Sequence, residues 1–253
     1  MKHLPCLLCN ELRRLYFAPS TYSAGFLFLL LFAAFYFNVL LKFSSEAQTV
    51  LPSEVFFQTF WIPVWTAVPL LTMSSIAEER SLGTLELLMI TPATVTEVLL
   101  SKFFAAYLWY CLLWLLGLSF PLIAVWLLND TVATTRLLDL PTLVGGYVFV
   151  GLSGLLFVAI GIFASCLTQT QLVAAMLSFS LLFILTVGAY VMQQQWLNLP
   201  EWLEGIGEYL SLFKHLDGFG RGIFDSRPFF FYLTGTVLIL WLSTLIVGRK
   251  LDR

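Results

Sequence analysis

The chain has 253 residues, 59% of them apolar and 11% Asp, Glu, Lys or Arg, with a net charge of −2. A soluble domain is about 45–50% apolar and about 25% charged, so this composition excludes a soluble enzyme, a nucleic-acid binder and a disordered tail. It predicts an all-α, polytopic membrane protein, and four scattered cysteines exclude a disulfide scaffold.

In chain order, Leu4, Leu8, Leu12 and Leu15 recur at helical spacing, Asn10, Arg13 and Arg14 fall on other faces, and Pro19 ends the pattern. The segment reads either as a helix in the cytoplasmic interface, arginines towards lipid phosphate, or as a simple positive-inside anchor. A bilayer core of roughly 30 Å needs about 20 apolar residues per helix. Six stretches qualify, at 22–41, 56–76, 103–128, 144–167, 172–192 and 229–248. None contains Asp, Glu, Lys or Arg, so all 13 basic and 15 acidic residues fall elsewhere. The first stretch exceeds a signal-peptide core and is expected to be retained. Unalternating runs of Leu, Phe and Trp favour helices over a barrel.

Pro63 and Pro69 in the second stretch and Pro121 in the third each predict a kink, which suits a gated path or a static bundle equally. Between the second and third stretches, Ser75 and Glu78 have capping-box spacing, and Leu82, Leu85 and Met89 form a stripe beside Glu79, Gly83 and Glu86. Pro92 ends this pattern, and Thr94 with Glu97 makes a second box. A short amphipathic helix across the cytoplasmic surface is expected. Its acidic residues fit partner docking better than lipid anchoring, because anionic lipid repels them.

The fourth stretch carries Gly145, Gly146, Gly151, Gly154 and Gly161, then Ser165, which predicts close helix packing. Before the sixth, Trp202, Ile206, Tyr209, Phe213 and Leu216 oppose Glu201, Glu204 and Glu208, followed by a flexible Gly218–Gly222 run. This predicts an extracytoplasmic amphipathic helix, either a lid or a plain interfacial element. Eight Lys and Arg fall on the side of both termini and five on the other, which places the termini in the cytoplasm.

No Gly-x-x-x-x-Gly-Lys-Ser/Thr occurs, and His3 and His215 fall on opposite sides of the membrane. Cys6 and Cys9 lack a second pair to complete a zinc site, and Cys111 and Cys166 read as small core residues. No cofactor or metal is expected on this chain, and no catalytic residue. Ion-coupled transporters keep charged groups at mid-membrane; these spans have none, so energy for any transport comes from outside the chain.

The order of an interfacial helix, Ala18-Pro19-Ser20-Thr21-Tyr22, Pro69-Leu70-Leu71-Thr72-Met73, Ile76-Ala77-Glu78-Glu79-Arg80, Gly83-Thr84-Leu85-Glu86-Leu87-Leu88, Thr91-Pro92 and Lys102-Phe103 resembles the ABC-2 type transporter permeases. Leu212–Leu216 and Arg221–Arg227 add to a likeness with the gliding-motility-associated branch, with the copper-processing nitrous-oxide-reductase permeases as cousins. The resemblance spans the chain as one transmembrane domain, 1–253, in the cell (inner or plasma) membrane. It implies that Glu78, Glu79, Arg80, Gly83, Thr84 and Glu86 form a coupling helix seated on a separate ATP-binding cassette ATPase subunit, which holds the ATP and Mg. It also implies a dimer with a second permease copy or paralogue, and an extracellular re-entrant element before the sixth span. Ser81 stands where the family commonly has a basic residue. The resulting expectation is the membrane subunit of an ATP-driven exporter; the alternative is a non-transporting anchor for an ATPase-linked machine.

Overall fold

A computed structural model describes residues 4–45, 57, 59–84, 94–128, 139–192, 211–220 and 226–251. Its helices are α1 (Leu4–Phe17), α2 (Pro19–Ser45), α3 (Trp61–Thr72), α4 (Ala77–Ser81), α5 (Val95–Gly117), α6 (Ser119–Leu128), α7 (Leu140–Leu167), α8 (Gln171–Met192), α9 (Leu212–Gly220) and α10 (Ser226–Leu251). Ala18 separates α1 from α2, whose first residue is Pro19, a position where the missing N–H removes no helical bond.

Among the described residues, five helices are long and apolar enough to cross a membrane: α2, α5 with α6, α7, α8 and α10. Among the described residues of the second expected span, α3 is a helix of twelve residues. At about 1.5 Å per residue, those twelve residues alone are shorter than a bilayer core. Instead of facing lipid along its length, α3 is packed inside the bundle, with Val64, Ala67, Val68 and Leu71 all buried. It touches α2, α5, α7 and α8.

α7 is the axis of the fold. In its most apolar window 72% of residues are buried, against 22–33% in the other four spanning helices, and it packs on α3, α5, α8, α9 and α10. The glycines explain how one helix accepts so many neighbours. A Cβ at Gly146 would strike the Phe57 ring, one at Gly154 the Tyr110 ring, and one at Gly161 the side chain of Thr72. Each missing side chain is the seat of a different element, as close packing in a bilayer demands. Aromatic rings fill the space between helices: Phe32 meets Trp114 edge-on at 5.4 Å, and Phe60 meets Phe149 at 5.2 Å.

The prolines act differently from one another. Pro63 lies in the first turn of α3, where no interior hydrogen bond is lost, so the expected kink there is not required; Pro69 alone interrupts the helix interior. Pro121 lacks the N–H that would reach Gly117 and its ring crowds that carbonyl, and the third span divides at Leu118 into α5 and α6.

Hydrogen bonds sort the connecting segments between two ends of the bundle. α1, residues 73–84 and the α7–α8 turn meet at one end, called proximal here; α9 joins the starts of α7 and α10 at the other, distal end.

Candidate functional site

The proximal end brings together the segment that follows α3. Thr72 closes that helix by donating to the Val68 carbonyl, and the chain then turns through residues 73–76. The expected capping box of Ser75 and Glu78 does not form: the N-cap is Ile76, with no side-chain bond of its own. Ser165 of α7 takes that role. Its Oγ accepts from the backbone N–H of Ile76 (3.1 Å) and Ala77 (3.0 Å) and donates to the Met73 carbonyl (3.3 Å). A free helix N-terminus is thus satisfied from another helix. Arg80 repays the contact by donating through Nη1 to the carbonyls of Cys166 (2.9 Å) and Thr168 (3.3 Å), sealing the C-terminal end of α7.

The two glutamates of α4 face α1 and α5. Lys102 donates through Nζ to Glu79 Oε1 (2.6 Å) and Glu11 Oε1 (2.7 Å). Arg14 spans both acids of α4, donating to Glu79 Oε1 (2.8 Å) and Glu78 Oε2 (3.0 Å). Five charged side chains, three acidic and two basic, therefore tie α1, α4 and α5 together. The Lys102 side chain is 1% exposed and that of Glu79 9%, whereas Arg14 is 36% and Glu78 32% exposed. The interior pair carries the weight, since an ion pair open to water contributes little. Buried Oε2 of Glu79 and Nη2 of Arg80 have no hydrogen-bond partner among the described residues. Arg14 thus points into the protein, which corrects the expectation that both arginines turn to lipid phosphate.

Beyond Arg80 the chain faces outward. Ser81, Leu82, Gly83 and Thr84 are all exposed, Leu82 by 68%. Gly83 sits at φ +68°, a left-handed conformation that favours glycine. The single amphipathic helix expected from Ser75 to Pro92 is therefore broken: α4 ends at Ser81, and the backbone makes a turn at Leu82 and Gly83. Thr84 hooks back, its Oγ1 donating to the Glu79 carbonyl (3.2 Å). Leu85, Glu86 and Met89 lie outside the described residues. The second capping box is present in full: Glu97 N–H donates to Thr94 Oγ1 and Thr94 N–H to Glu97 Oε2, opening α5.

Of the expected site residues, Glu78, Glu79 and Arg80 are thus brought together but are held within the chain, while Gly83 and Thr84 stand outside. Lys102, Glu11 and Arg14 were missed as partners. The signal for them was faint: Lys102 abuts a span, as Lys42 and Arg249 also do, and Glu11 is the one acid in a basic helix.

At the distal end, Trp202, Ile206 and Tyr209 lie outside the described residues, as does the side chain of Phe213. α9 itself is anchored rather than loose, with Leu212, Leu216 and Phe219 buried. Gly218 to Gly220 are its last turn rather than part of a flexible run, and a Cβ at Gly145 would collide with the Phe219 carbonyl. Thr142 Oγ1 donates to the Gly220 carbonyl at 3.1 Å. Between α3 and α8, Trp61, Trp65, Thr186, Val187 and Tyr190 line a cavity of about 370 Å³ with no charged group among the described residues that line it, and Trp65 Nε1 donates to Thr186 Oγ1 at 3.1 Å. Among the described residues no group of His, Cys, Asp and Glu is arranged to hold a metal.

A family model described as "ABC-2 family transporter protein" matches residues 27–247. No curated protein matches the chain significantly.

Proposed function

The chain belongs to the ABC-2 family of transporter proteins and is a non-catalytic membrane subunit, and from that premise we propose that it is the six-span permease of an ATP-driven exporter, α3 forming the described part of the second span, with the segment from Glu78 to Glu86 seating the ATPase subunit. The observation that carries this reading is the two-sided character of that segment. Its inner side is fixed to α1 and α5 by the ion network and to α7 by Ser165 and Arg80. Its outer side offers Ser81, Leu82, Gly83 and Thr84 to a partner.

On this reading, Glu78, Glu79 and Arg80 are the base of the coupling element, Leu82 and Thr84 with Glu86 its contact face, and ATP with Mg resides on the partner. A push from the closing ATPase reaches two spanning helices, α5 and α7, and the interfacial α1 at once, because α4 bonds to groups on each. Pro69 and the break at Leu118 are the sites where the bundle would yield. The permease pairs with a second copy or paralogue, and Trp202, Ile206, Tyr209 and Phe213 belong to an extracytoplasmic lid. Both termini are cytoplasmic, in the inner or plasma membrane, and one transmembrane domain covers 1–253. The residues around Glu78–Pro92 and Arg221–Arg227 favour the gliding-motility-associated branch.

The test is purification from the native membrane with any ATP-binding subunit attached. Leu82→Asp combined with Glu86→Arg is expected to release that subunit and abolish stimulated ATP hydrolysis while the permease stays folded. Retention of both would place the contact elsewhere. ATP-dependent cargo movement in reconstituted vesicles separates transport from anchoring, because an anchor would move none.

A further inference from the structure

The amphipathic helix α1 is arranged in reverse of one on a soluble protein. Its charged pair Glu11 and Arg14 turns inward to the ion network, while Cys6, Cys9, Tyr16 and Phe17 are exposed, the last two by 57% and 69%. That outer face is the one a lipid surface would accept. It carries one cation, Arg13, whose guanidinium lies 5.9 Å from the Phe17 ring centroid and forms no ion pair with the described residues. Arg13 also lines an open groove of about 530 Å³ between α1 and α5, together with Leu12, Tyr16, Leu108, Trp109 and Leu112. The volume falls in the range of about 300–1,000 Å³ that ligands occupy.

We propose that this groove binds an anionic phospholipid, its phosphate paired with Arg13 and one acyl chain lying along Leu108, Trp109 and Leu112. Three features select this ligand. The guanidinium fork matches phosphate oxygens. Tyr16 lies edge-on to Tyr22 at 6.4 Å and Tyr22 edge-on to Trp109 at 6.5 Å, and such amphipathic rings settle at the headgroup level of a bilayer. Among the described residues no acidic one lines the groove to hold a choline or ethanolamine cation, and Arg13 repels one. The nearby acids Glu11, Glu78 and Glu79 are engaged with Lys102 and Arg14 instead. The site rests on the membrane-spanning character of the chain and is independent of transport or of an ATPase partner.

The experiment uses the full chain in phosphatidylcholine vesicles containing a minor share of phosphatidylglycerol, with bromine on the acyl chains of one lipid or the other. Bromine quenches nearby tryptophan fluorescence, and the signal absent from Trp109→Phe isolates the groove. The brominated anionic lipid is expected to bind about fivefold in preference to the zwitterionic one, the share one arginine contributes near a surface. Arg13→Gln brings that preference to parity, and Arg13→Lys retains most of it. Because Arg13 is exposed, neither variant disturbs the fold, and an unchanged helical circular dichroism spectrum checks this. Parity in the unaltered chain, or an undiminished preference in Arg13→Gln, overturns the proposal. Loss of the preference on adding inorganic phosphate also overturns it, since the ligand would then be the free anion.

Discussion

The proximal end and the middle of the bundle hold helices together by opposite means. In the middle, α7 meets its neighbours through absent side chains, glycines that admit Phe57, Tyr110 and Thr72, and the contacts are between apolar surfaces. At the proximal end, α1, α4 and α5 meet through present ones, long charged side chains that reach each other across buried space. The difference follows from solvent. Lipid tails are as apolar as the helices they surround, so only close fit drives association there. At the membrane boundary, charges keep part of their hydration and can be paired one by one. A fit depends on every neighbour, whereas an ion network depends on a few named groups.

That contrast can be broken at specific residues. The largest effect is expected from Glu79→Ala, which leaves Lys102 buried with one partner fewer. Removing one member of a buried pair typically costs about 3–5 kcal/mol, and the drop is to be read from thermal unfolding in detergent. Glu79→Leu with Lys102→Met is expected to recover much of that loss, because a matched apolar pair avoids the desolvation of charge. Failure to recover would mean that Glu11 and Arg14 depend on the pair more than its geometry suggests.

In the middle of the bundle, Gly154→Ala is expected to cost about 1–3 kcal/mol, since Tyr110 must leave its seat. Tyr110→Ala on the same background should relieve the strain, and a double-mutant cycle measures the relief. Thr94→Ala removes half of a local capping box and is expected to cost about 1 kcal/mol, detectable as faster amide exchange in the first turn of α5. Smallest of all is Arg14→Ala. Its side chain is 36% exposed, so after screening by water the loss is expected to stay below about 1 kcal/mol and to shrink further in salt.

What the sequence disclosed tracks the distance between interacting groups. The Thr94–Glu97 box is a relation between residues three apart, and it forms as expected. Five spanning helices lie where apolar runs of sufficient length predicted them, because that signal is also local. The cap on α4 was misread: Ser75 has the right spacing, but Ser165 reaches the same backbone N–H groups from α7. Spacing within a segment cannot reveal a competitor from another helix. The same holds for Lys102, which reads as a flanking cation until α1 brings Glu11 to it. The break after Ser81 was legible in Gly83, yet the periodicity of Leu82, Leu85 and Met89 concealed it. The placing of α3 inside the bundle was invisible, because an apolar stretch suits lipid and protein alike.

Ser165 has one more consequence, which concerns the order in which the molecule is completed. The charged partners of α4 lie in α1 and near the start of α5, so they are all present once the first half of the chain has been made. The hydroxyl that caps α4 arrives only with the end of α7. During synthesis, α4 can therefore be held in position by its glutamates while its first N–H groups still await an acceptor, and insertion of α7 would finish both elements at once. A chain stopped before Ser165 would have the electrostatic frame of the proximal end without its last hydrogen bonds.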